Sequence, residues 1–436
     1  MSLKSIYDFA RGWGFGFVIC AIALSLLEIA SSSSYENKAK TKAHIEVGLH
    51  DIENSKTSKD GWTDCLILSG TFAPNLNLLE YLGSPKAIID KPCTGLDAAM
   101  INTNDAVWTS YDRYWLGSIY LATLVLDYFD ASTAQHIYKF ALVLAIFCLS
   151  FAGFKLRHNL RIPLAIVCLG ILAGAGIDAF GGHFGHSPTY FLPLFIFAAF
   201  IIFPFKILTI RETAMFGAVI GAITCYFDIL SGGIPFTLSL TIFIYYLLWL
   251  NSSTQSRGGK NLFIGVTVLC IAYILSVVAL VVIKLFIATS VLGHSDVLQV
   301  FKGQLLWRMS TSETNANGRL TAIGMVTQRL WEYRSNVFIG GAQVGDIVFL
   351  VGGIAWFVAL FVTWFNYRVT RNSGEVLYFI IPFVGAMVIP IWFLVFSSHG
   401  FIHAWFMTRI VCLVPAFGIA SAWMGLGRVN LNRSSI

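Results

Sequence analysis

Apolar stretches long enough to cross a bilayer recur from one end of this chain to the other. That recurrence constrains the fold more than any other feature. In lipid no water is present to satisfy backbone N–H and C=O groups, so such stretches must form helices. The composition agrees: 56% of residues are hydrophobic, 12% are charged, and the mean hydropathy is +0.72. Values of that kind exclude a soluble globular fold and indicate an integral membrane protein.

Ten spans are expected, at about 13–30, 135–154, 162–178, 189–205, 213–229, 235–250, 262–291, 346–366, 376–396 and 404–424. With the N-terminus in the cytoplasm, every second connection carries Lys or Arg, including Lys4 and Arg11, Lys155, Arg157 and Arg161, Lys206 and Arg211, Arg257 and Lys260, Arg368 and Arg371, and Arg428. The intervening turns 179–188, 230–234 and 397–403 carry none, which follows the positive-inside rule. The first span has the basic flank of a signal peptide. Its length, and Glu28 just before the candidate cleavage site, favour a retained membrane helix.

Two segments are expected on the outer side, 31–134 and 292–345, with the whole chain, 1–436, forming one membrane-embedded unit. Within the first, "YDRYWLGSIYLATLVLDYFD" is amphipathic and aromatic. Were it to cross, the basic "KLRHNLR" would land outside, so it is expected to lie in the membrane interface. The second carries Leu320, Ile323, Val326 and Leu330 at helical spacing beside Arg319, Arg329 and Arg334, and is also expected on the outer face. Of eight cysteines only Cys65 and Cys93 fall in an outer segment. An oxidising compartment permits a bridge between them, and two independent thiols are the alternative.

On this topology Glu28, Asp64, Asp97, Asp112, Asp178, Asp228, Lys284, Asp346, His399, His403 and Arg409 gather at the outer boundary. The cytoplasmic connections are short, basic and nearly free of carboxylates. No glycine loop for cradling a nucleotide phosphate is present, and nothing points to nucleic acid. The substrates that suit such a site are molecules presented from within the bilayer, such as lipid-linked sugars.

The order of "GWTDCLIL" (61–68), "YDRYWLGSIYLATLVLDYFDASTAQHIYKF" (111–140), "YFDILSGGIPFTLSL" (226–240), "VVIKLFIATSV" (281–291) and "FSSHGFIHAWFMTR" (396–409) resembles a bacterial family of multi-pass GT-C-type glycosyltransferases. That family includes the type IV pilin arabinofuranosyltransferase. The resemblance implies an all-α, GT-C-like bundle of about ten transmembrane helices with extracytoplasmic interfacial helices. It also implies an inverting transferase of the bacterial inner membrane, acting on the periplasmic side. A sugar, with arabinofuranose the guess, would pass from a polyprenyl phosphate to a protein or glycan acceptor.

A carboxylate base is then needed in the first outer loop. Asp64 in "WTDC" matches, with Trp62 alongside to desolvate it, and a helix cap is its alternative role. Glu28 is the rival, and Asp112 stands third. Arg409 and Lys284 suit the donor phosphate, with His399 or His403 adding a hydrogen bond. Arg409, about 10 Å into a span beginning near residue 401, would otherwise need a partner such as Asp228, and snorkelling is the alternative role of Lys284. Asp112, Arg113, Tyr114, Trp62 and Asp228 are candidate sugar or acceptor contacts. No metal or cofactor is expected. "HGFIH" lacks the zinc-protease glutamate, although His183 and His186 share the same side and a divalent cation at the phosphate stays open. Two other classes remain: a ligase or polymerase of lipid-linked glycans, which "NGRLTAIGMVTQRLWEYRSNVFIGG" faintly resembles but which the span count and the large loop after the first helix disfavour, and a transporter, disfavoured by the lack of an internal repeat.

Overall fold

The computed structural model describes residues 2–35, 38–54, 61–74, 76, 80–81, 85–110, 117–174, 177, 181–203, 209–228, 232–252, 258–309, 338–339, 342–343, 345–370, 376–398 and 409–433. The protein is an all-α polytopic membrane protein. Among the described residues, seven helices are long and apolar enough to cross a membrane.

Helix α1 (Leu3–Tyr35) is followed by a layer of shorter elements: α2 (Lys38–Asn54), α3 (Gly61–Gly70), β1 (Lys86–Ala87), α4 (Pro92–Ile101), β2 (Thr109–Ser110) and α5 (Gly117–Leu126). The bundle continues with α6 (Ala131–Ala152), α7 (His158–Gly174), α8 (Ser187–Ile202), α9 (Ile210–Phe227), α10 (Gly233–Asn251) and α11 (Gly258–Phe286). After α12 (Val297–Met309) and a two-residue hairpin, β3 (Phe338–Ile339) with β4 (Ala342–Gln343), it closes with α13 (Gly345–Thr370), α14 (Leu377–Val395) and α15 (Leu413–Arg433). Each of the ten expected stretches meets a helix. Those over α7, α8 and α14 are shorter apolar helices, whereas α1, α6, α9, α10, α11, α13 and α15 contain the seven candidate spans.

Small residues set the packing. Gly12, Gly16 and Cys20 of α1, one helical turn apart, face Arg211, Met215 and Val219 of α9. On its other side α9 presents Gly217, Gly221 and Cys225 to Leu269, Tyr273 and Val277 of α11. Residue numbers rise together in both pairs, so the three helices run parallel. A Cβ at Gly12 or Gly221 would strike main-chain atoms of the neighbour, which is how small-xxx-small ridges let membrane helices approach closely. Helices α7 and α15 run antiparallel, with Gly170 against Ala416 and Gly174 against Cys412. Helix starts carry their own signals. Thr209 and Glu212 form a reciprocal cap at α9, and Asp130 accepts from the Thr133 N–H at α6.

Helix α5, within the segment expected on the interface, has ten residues and is largely buried, because Gly117 packs on Tyr226 and Ile119 packs on Gly70. Protein covers its one aromatic, Tyr120, whereas Tyr128 and Phe129 just beyond it are exposed. Asp64 lies inside the first turn of α3, which begins at Gly61, so it is not a cap.

Candidate functional site: a lipid-facing groove and two buried carboxylates

Asp64 sits on α3 with no solvent exposure. Its Oδ1 accepts from the Phe184 N–H at 2.8 Å, and its Oδ2 accepts from Gln135 Nε2 at 3.0 Å. His183 Nδ1 lies 2.9 Å from the same Oδ2, a close electrostatic contact whose geometry is not that of an aligned hydrogen bond. Next to Asp64, Cys65 is disulfide-bonded to Cys93 of α4. The carboxylate thus ties α3 to α6 and to the turn before α8, and the bridge ties α3 to α4. Trp62 is half exposed, so burial among these neighbours, not the indole, removes Asp64 from water.

Glu28 has different company. It lies near the end of α1, and Tyr226 at the end of α9 donates to its Oε1 at 2.6 Å. Lys284, near the end of α11 and almost wholly buried, is close enough to act on it electrostatically. Tyr81 and Tyr120 complete the surround. The Tyr81 hydroxyl reaches Ser31 and Thr123, and Tyr120 donates to the Tyr81 carbonyl. Burial pushes the Tyr81 hydroxyl up to about 12, so it stays a neutral donor.

Lys284 also lines a cavity of about 700 Å³ between α11, α12 and α14. One wall is a stripe on α11 from Ile274 to Leu285, and another is Val388, Ile391, Trp392, Val395 and Phe396 of α14. Helix α12 covers it with Phe301, Leu305 and Arg308, a single helical face. Ile274, Val278, Val282, Ile391 and Val395 are exposed, so the groove is open at the side of the bundle that faces lipid. Its polar groups include Asp228, Lys284 and Arg308, and from Ile274 to Lys284 the α11 wall is about 15 Å long. Apolar length with cations at the end is the shape of a site for a long hydrocarbon bearing an anionic head.

The turn after α9 fixes Asp228. Gly232 has φ 89°, a left-handed conformation that glycine adopts without strain, and Asp228 Oδ2 accepts from the Ile234 N–H at 3.1 Å. A side chain at Gly233 would meet Asp228 and Thr189, so these glycines are explained by the turn itself. Arg409 is buried, its guanidinium 5.3 Å from the centre of the Tyr190 ring, and Asp228 lies near the same tyrosine.

The structure therefore brings Glu28 and Lys284 together and puts Lys284 and Asp228 on one groove. Asp64 belongs to another cluster, and Cys65 and Cys93 are joined. Asp112, Arg113, Tyr114, His399 and His403 lie outside the described residues. Arg308 was not singled out from sequence. The available signal was a basic residue beside Trp307 in the last turn of a short apolar helix. Among the described residues no three His, Cys, Asp or Glu side chains form a metal-binding group. Comparison with protein-family models, with curated proteins and with solved structures finds no match.

Proposed function

We propose that the protein is an inverting glycosyltransferase that takes a sugar from a polyprenyl phosphate and passes it to a cell-envelope acceptor, a protein or a glycan. The bundle then has about ten crossings in the bacterial inner membrane, with α7, α8 and α14 crossing as short helices. The Glu28 end is extracytoplasmic, a reading that the charge pattern and the Cys65–Cys93 bridge support. Arabinofuranose as the sugar rests on the family resemblance.

The observation that carries this reading is the lipid-open groove that Lys284 and Arg308 help line. The polyprenyl chain lies along α11, and its phosphate meets the two cations. Glu28 is the base, because it neighbours the groove lysine whereas both oxygens of Asp64 are engaged by protein groups. Glu28 accepts the proton of the acceptor hydroxyl as that oxygen attacks the anomeric carbon. The bond to the phosphate oxygen breaks on the opposite face, and Lys284 and Arg308 stabilise the charge left on the polyprenyl phosphate. Asp228 is positioned to accept from sugar hydroxyls.

The test is transfer of labelled sugar from polyprenyl phosphate monosaccharides by the purified chain. Native protein is expected to transfer, and Lys284→Ala to raise the donor KM about thirtyfold, the loss of one charge-assisted contact. Consumption of lipid-linked oligosaccharide alone would replace this reading with a ligase or polymerase. Movement of intact lipid across proteoliposomes without transfer would replace it with a transporter.

A further inference from the structure

The groove wall holds a polar group that the mechanism above leaves idle. Trp392 stands in the last turn of α14, its ring 4.2 Å from that of Phe396, and it lines the groove with Lys284 and Arg308. Its indole Nε1 is buried, and among the described residues no acceptor meets it. An indole nitrogen can only donate. A buried donor left without an acceptor costs roughly 1–3 kcal/mol, so such groups in native proteins point to a partner that arrives from outside the chain. Hydrocarbon cannot serve, and most of the surrounding wall is hydrocarbon. An anionic oxygen held by Lys284 and Arg308 can.

We infer that Trp392 is a binding residue for the lipid phosphate, its Nε1–H donating to a phosphate oxygen while Phe396 holds the ring in place. This rests on the lipid-phosphate reading of the groove. It adds a neutral, directional donor to two cations. Charge alone attracts any anionic lipid, whereas an N–H held by the tilted ring contact with Phe396 donates only to an oxygen at one place along the chain. The headgroup is thereby registered against Glu28, and a lipid whose phosphate sits elsewhere gains nothing from Trp392.

The experiment measures binding of radiolabelled polyprenyl phosphate and of the matching polyprenol, which lacks phosphate, to the full chain in nanodiscs. Trp392→Phe keeps the ring and removes the N–H. It should weaken polyprenyl phosphate binding about tenfold and leave polyprenol binding unchanged. Trp392→His retains a ring donor and should recover part of the loss, which a purely structural role for the ring would not show. Unchanged phosphate binding by Trp392→Phe, or equal weakening for both lipids, overturns the inference and leaves the groove reading standing. Native protein that binds polyprenol as tightly as polyprenyl phosphate overturns the groove reading itself.

Discussion

Glu28 and Asp64 are both buried carboxylates in a membrane protein, and their surroundings differ in kind. Asp64 is met from several sides by groups of the protein: a main-chain N–H, an amide and an imidazole. Glu28 is met by one tyrosine and by a lysine that itself borders an open groove. Burial alone therefore does not mark a site. A carboxylate whose oxygens are used up holds elements together, and a carboxylate grouped with cations at the edge of a cavity is placed to act on something that enters. The same contrast separates the two layers of the molecule. The α2–α5 layer is tied by a disulfide and by the hydrogen bonds to Asp64, while the α11–α12–α14 face is apolar and open to lipid.

The largest effect that sharpens this contrast is Asp64→Ala. It leaves the Phe184 N–H and Gln135 without their acceptor and His183 without its carboxylate neighbour, and should destabilise the fold by about 3–5 kcal/mol. The check is the thermal midpoint of detergent-purified protein. A midpoint within a degree of native would break the anchor reading. A smaller effect is expected from Gly221→Ala, whose Cβ would meet the Tyr273 carbonyl. Overpacking there should cost about 1–3 kcal/mol and spread α9 from α11, loosening both Tyr226 and Lys284. It should lower the midpoint and donor affinity together, a pairing that a change confined to the α2–α5 layer would not produce.

Much of the fold was legible in the sequence because lipid imposes a simple rule. A long apolar run must be a helix, and each expected stretch met one. The burial of α5 against the bundle was not legible. Aromatic residues serve a membrane interface and a protein interior equally well, and the packing of Gly117 on Tyr226 depends on residues far apart in sequence.

For the site, residue type pointed to Lys284, Asp228 and Glu28, but their grouping depends on parallel packing of α1, α9 and α11. That packing is written in glycines, Gly12, Gly16, Gly217 and Gly221, whose spacing becomes informative once the helices are paired. Arg308 was hidden because its role depends on where α12 lies, and a short helix outside the spans carries no hydropathy signal for that.

The central claim is that the groove-side carboxylate does chemistry and the fully bonded one does not. The direct measurement is sugar transfer from a polyprenyl phosphate donor by Glu28→Gln and Asp64→Asn, each normalised to the folded fraction in monodisperse elution. The account predicts that Glu28→Gln binds donor but loses kcat by about a hundredfold or more, while folded Asp64→Asn turns over at close to the native rate. Folded Asp64→Asn without turnover, beside an active Glu28→Gln, would contradict it.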